Sequence, residues 1–233
     1  MERQKKLIIA IIIVLAIAIG TVVWGMFLST PNLSDGEKNI LVLAVDETEQ
    51  RPGMGGVDMA FIINMDNGSI EKYTPVYPGG LSHPTQPSPV GGGNMMLHDS
   101  LWDSNIPQGM EYAKEIVEGN TKTEIDAVVA VNTEAIDAII ASAGTLEVNG
   151  NSMNISALDL VRENDQLHGG GMTRGEAVLA LAKAISQAAT DTTKREAMVQ
   201  TALDQYSKGN IIMIPEGSFI GLMAAKGLEH LAN

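Results

Sequence analysis

Six residues with three basic side chains, Arg3, Lys5 and Lys6, open the chain, and an almost unbroken apolar run follows from Leu7 to Leu28. As a helix rising about 1.5 Å per residue, that run reaches about 33 Å, enough for a hydrocarbon core about 30 Å thick. The pattern therefore predicts a cytoplasmic tail over 1–6, a transmembrane anchor over 7–28, a linker over 29–38 and one domain over 39–233. No Lys or Arg follows the span before Lys38, so the basic bias keeps the N-terminus in the cytoplasm and puts the main domain outside. A cleaved signal peptide has a shorter apolar core and small residues at its end, whereas Val22, Val23, Trp24, Met26, Phe27 and Leu28 fill that place here.

Beyond the anchor the periodicity changes. Asn39 to Val45 is a short apolar run between Lys38 and Asp46, Asp58 to Asn64 is a second, and Ser69 to Thr74 alternates as a third. Asn67-Gly68 between the last two favours a tight hairpin turn. From Tyr77 to Asn94, Pro78, Pro84, Pro87 and Pro89 are mixed with five glycines, which predicts a long surface loop. Pro107 opens a helix expected to stop at Gly119-Asn120, and Asn132 or Thr133 caps another that ends at Gly144. Ser156-x-x-Asp159 opens a short helix, and Thr173-x-x-Glu176 and Thr193-x-x-Glu196 are capping-box patterns before longer ones. Strands are expected at 126–131, 145–148 and 211–214, and a last apolar helix from about Ser218 to Leu231. Alternating strands and helices predict a three-layer α/β/α domain with a mixed central sheet.

Charge narrows the partners. The tail holds three of the 15 basic residues and one of the 28 acids, so 12 bases face 27 acids beyond it. Such a surface repels nucleic acid, and an anionic ligand needs a local cationic site or a divalent metal. The absence of cysteine removes disulfides, thiolate catalysis and cysteine zinc sites. No Gly-x-Ser-x-Gly elbow is present, and Gly91 to Gly93 and Gly169 to Gly171 lack the spacing of phosphate-loop and dinucleotide motifs. Met95, Met96 and His98, with His168 and Met172, are soft ligands that suit copper(I), but methionine more often fills cores.

An anchor, then Asn39 to Asp46, then Gly56-Val57-Asp58-Met59-Ala60 resembles the opening of the LytR-CpsA-Psr family, where one strand ends in Asp and the next begins with a second Asp. Ile125 to Val148 resembles the family's central strand, helix and following strand, and Gly175-Glu176 and Arg195 fall in the expected places. The resemblance implies an extracytoplasmic protein of the cell envelope that handles a polyprenyl-(pyro)phosphate-linked glycan and transfers its glycan-phosphate. It implies Asp46 and Asp58 as ligands of Mg²⁺ or another divalent cation, and Arg195 and Lys183 as phosphate contacts. Arg174 stands at a helix start, where backbone amides favour anions. The family's Pro-Arg-Asp is represented by Pro78-Gly79-Gly80, which removes its main arginine, and Arg51 in the preceding loop is the candidate replacement. Loss of one charge-assisted phosphate contact costs about 2–4 kcal/mol of transition-state stabilisation. A degenerate phosphotransferase and a non-catalytic envelope protein that keeps the fold to bind a ligand or partner are thus the two readings. Both Asp residues also have a plainer role, since Asp commonly ends strands and makes local turns.

Overall fold

The computed structural model describes residues 32–77, 79–144, 147–148, 151–152 and 174–228. The predicted anchor, the Ser156 helix start, His168 and Met172 lie outside them. Among the described residues no helix is long and apolar enough to cross a membrane.

The three apolar runs after the linker form β1 (Glu37–Asp46), β2 (Gly56–Asp66) and β3 (Ser69–Val76). β1 and β2 are antiparallel, and β2 and β3 close a hairpin in which Asp66 faces Ser69. Asn67 and Gly68 both take positive φ, 47° and 76°, as the two-residue turn requires. β6 (Ala127–Asn132) lies parallel to β1, and β9 (Ile211–Ile214) pairs antiparallel with β6. The order β3-β2-β1-β6-β9 makes a five-stranded mixed sheet.

Both faces of the sheet are covered because its strands alternate between two apolar clusters. Leu41, Leu43 and Val45 face Met110, Ala113, Ile116 and Val117 of α1 (Ile106–Thr121). Ile40 and Val42 face the opposite side, with Ala135 of α2 (Thr133–Ser142), Leu203 and Tyr206 of α4 (Thr192–Ser207) and Phe219 of α5 (Ser218–Leu228). On that same side Ala44 and Met59 meet Ile140 of α2, Leu181 and Ala188 of α3 (Arg174–Ala188) and Met198 of α4. The apolar face of α3 is thus spent on the core, and a hydrogen bond between the Tyr73 and Ser186 hydroxyls ties this helix to β3. Leu41, Leu43 and Met110 are fully buried, each contributing about 1.5–3 kcal/mol relative to exposure.

Three sequence expectations need correction. The stretch 77–94 is not a featureless loop: β4 (Ser82–Pro87) and β5 (Asn94–Met96) form an antiparallel ribbon. Its prolines are tolerated because only one neighbour strand needs donors, and Gly91, Gly92 and Gly93 supply the positive φ of its turn. His83 anchors the ribbon, accepting from Thr85 and Gln86 amides at Nδ1 and facing Glu115 of α1 across 2.6 Å at Nε2. Secondly, α1 runs through Gly119 to Thr121, since Asn120 and Thr121 side chains donate to the Ile116 and Val117 carbonyls, and Lys122 ends it at φ 59°. Thirdly, Asp191 rather than Thr193 caps α4, accepting from the Lys194 amide at 3.0 Å. Within the strand expected at 145–148, the short β7 (Glu147–Val148) pairs with β8 (Asn151–Ser152). The folded unit also reaches back into the linker, because Leu33 is buried with Ile40, Met65 and Phe219.

Candidate functional site

Asp46 is the last residue of β1, and Asp58 is the third of β2, the strand beside it. A β-bulge lies beside them: Ala44 faces Met59 and Val45 faces Val57, so Asp58 is the extra residue with no opposite number. The antiparallel register, with Gly56 opposite Asp46, sets Asp58 at the same end of the sheet as Asp46. Asp46 is buried, and its Oδ1 accepts from both the amide (2.9 Å) and the hydroxyl (2.6 Å) of Thr48. Glu47 turns the other way, and its carboxylate accepts from the Thr133 and Glu134 amides at the start of α2. The anion-favouring terminus of α2 is therefore filled by the chain's own carboxylate. Asn132, buried at the end of β6, caps the same helix through the Ala135 amide and donates to Asn210.

The loop between β1 and β2 folds back onto residues 97–103. Gly53 donates to the Trp102 carbonyl at 2.7 Å, and a Cβ on Gly53 would stand 2.1 Å from the Leu101 carbonyl oxygen, so the docking admits only glycine. Arg51 is the centre of this contact. Its guanidinium, 6% exposed, pairs with Glu49 at 2.6 Å and Asp99 at 2.9 Å, donates to the His98 carbonyl and ring, and lies over Trp102. This cation is neutralised from within the chain. His98 in turn places Nδ1 3.0 Å from the Val57 carbonyl, next to Asp58.

The other residues proposed for phosphate lie apart from this cluster in the chain and on two helices. Arg174 opens α3, Lys183 is exposed midway along it, and Arg195 is half-buried in the first turn of α4. Met95 is buried in the core beside Leu97, so it serves packing. At the other end of α4, the hydrogen bond and charge of Asp204 raise the Lys208 pKa above its ordinary value, with Glu134 adding to the effect.

Among the described residues no three His, Asp or Glu side chains gather as a metal site. Two carboxylates at one strand end are nevertheless the donor set a Mg²⁺ ion uses when substrate phosphates and water complete its shell. The two carboxylates are of the donor type such an ion takes, without forming a preformed cage. The family resemblance pointed to the two aspartates, and the structure places them in the neighbouring strands β1 and β2. Sequence reasoning missed Glu47, Glu49, Asp99 and Trp102 and took His98 only as a soft metal ligand, whereas the structure crowds Gly53, Gly55 and Gly56 against neighbouring atoms.

This mixed sheet with helices on both faces has a fold similar to that of a LytR-Csp2A-Psr enzyme. The chain belongs to the family described as "Protein of unknown function (DUF4012)", which matches residues 35–166. Among solved structures, protein gbs0355 from Streptococcus agalactiae is similar with a TM-score of 0.58 and 14% identity, covering 82% of this chain and 72% of its own. Bacillus subtilis TagV follows at 0.54 and 12%, covering 82% and 80%, and a LytR-Csp2A-Psr enzyme from Actinomyces oris at 0.53 and 16%, covering 84% and 76%. These likenesses concern the fold. No curated protein sequence matches the chain.

Proposed function

We propose that this is a single-pass protein of the cell envelope, with its N-terminus in the cytoplasm, whose outer domain binds a polyprenyl-(pyro)phosphate-linked glycan. The observation that carries the reading is the pair Asp46 and Asp58 at one end of the sheet, in a fold similar to that of a LytR-Csp2A-Psr enzyme. In this reading the two carboxylates hold a divalent cation, Mg²⁺ being the first candidate, against the diphosphate. The cation supplies charge neutralisation, which a site this acidic otherwise lacks. Arg174, Lys183 and Arg195 are the candidate phosphate contacts, and transfer of the glycan-phosphate is the corresponding activity.

A second reading, a binding protein without catalysis, is favoured by two observations. Gly79 and Gly80 stand where the family carries Arg and Asp, and Arg51, the candidate replacement, is buried between Glu49 and Asp99. The first experiment serves both readings. Binding of a polyprenyl diphosphate to the full chain in lipid nanodiscs is measured with and without Mg²⁺, beside the double variant Asp46→Ala, Asp58→Ala. Metal-dependent binding that the double variant loses supports the lipid-diphosphate site and leads to transfer assays. Absence of binding with and without Mg²⁺ rejects it in favour of a partner-binding role.

A further inference from the structure

We propose that His98 is the positioning residue of the Asp58 carboxylate: its ring holds the Val57 carbonyl at the bulge, and Arg51 holds the ring. The inference rests on the lipid-diphosphate reading given above. The role of each ring nitrogen follows from its nearest partner. A carbonyl oxygen only accepts, so Nδ1, 3.0 Å from the Val57 oxygen, carries the proton. A guanidinium only donates, so Nε2, 2.8 Å from an Arg51 nitrogen, is bare. Glu49, 3.3 Å from Nε2, therefore reaches the ring through the Arg51 group they share.

At a bulge the strand ladder is interrupted, and a backbone acceptor there needs a partner from outside it. His98 supplies one for Val57, the residue before Asp58. Its own place is set by the helical turn Leu97–Asp99, whose Leu97 is fully buried and whose Asp99 pairs with Arg51. A path of direct contacts thus runs from Trp102 and Asp99 through Arg51 and His98 to the backbone that aims Asp58. This assigns Arg51 a supporting place in the site in exchange for the phosphate contact expected of it. Because the His98 side chain is 36% exposed, it is replaceable without opening the core.

The test compares His98→Asn, His98→Gln and His98→Leu in the full chain in nanodiscs, reading the Mg²⁺ concentration that half-saturates binding of a polyprenyl diphosphate. The asparagine amide nitrogen occupies the place of Nδ1 and keeps the donor, whereas glutamine places its nitrogen at Nε2 and leucine has none. The expected result is a requirement within about twofold of wild type for His98→Asn and raised about tenfold for the other two, the cost of losing a residue that orients a ligand. The backbone amide resonance of Asp58 should move in the leucine and glutamine variants and return in the asparagine variant. Equal Mg²⁺ requirements in all three variants and wild type overturn the assignment to His98 alone. Equal losses in all three, with no rescue by asparagine, overturn it as well. Wild-type protein that never binds the diphosphate removes this inference together with the reading beneath it.

Discussion

At the scale of single residues, the site end of the sheet is held by charge and by missing side chains. Arg51 joins two carboxylates and an aromatic ring, so replacing it by Met strands Asp99, 13% exposed, and Glu49, 38% exposed. The expected loss of stability is about 2–4 kcal/mol, reduced from the fully buried case by the exposure of Glu49. Arg51→Lys should recover part of it, since an ammonium keeps the charge but not the fork. Chemical denaturation with an unchanged slope checks both, and a variant of unaltered stability would return Arg51 to the list of free phosphate contacts. The glycines separate just as sharply. A Cβ at Gly53 meets three carbonyl oxygens within 2.8 Å, so Gly53→Ala should cost about 1–3 kcal/mol. A Cβ at Gly79 meets nothing within 4 Å, and Gly79→Ala should shift the denaturation midpoint by no more than about 0.5 kcal/mol equivalent.

Elements show what periodicity reveals and what it conceals. β1, β2, β6 and β9 were legible because each is an apolar run closed by a charge or a turn residue, and β3 because its side chains alternate after the Asn67-Gly68 turn. The β4–β5 ribbon was hidden by its own prolines and glycines: Pro84 and Pro87 read as breakers, although an edge strand accepts them and His83 pins the ribbon to α1 through a buried imidazole that no local pattern announces. Capping shows the same ambiguity. Thr193-x-x-Glu196 fits the capping pattern, yet Asp191, two residues earlier, takes the Lys194 amide and starts the helix at Thr192. Asp191→Ala should therefore destabilise by about 1 kcal/mol, and Thr193→Ala by a few tenths at most. The two midpoints from thermal or chemical unfolding decide it, and the reverse ranking would place the cap at Thr193.

For the whole molecule, strand order lay beyond the sequence because β1 pairs in parallel with β6 across a long connection, and local patterns do not specify a distant neighbour. The charge cluster was hidden for the same reason: Arg51 and Asp99 are 48 positions apart and meet only after the loop docks. The start of the domain is another long-range property. Leu33 falls in a stretch that reads as linker, but it is 2% exposed among Ile40, Met65 and Phe219. The following turn is locked in both directions, Gly36 accepting from the Asn67 amide and donating to its side chain at 3.0 Å. Leu33→Ala should cost about 2–5 kcal/mol, the range for emptying a buried leucine site. Denaturant unfolding of the full chain in detergent measures the difference. A Leu33→Ala midpoint equal to wild type would mean that the chain before Glu37 contributes nothing to the fold.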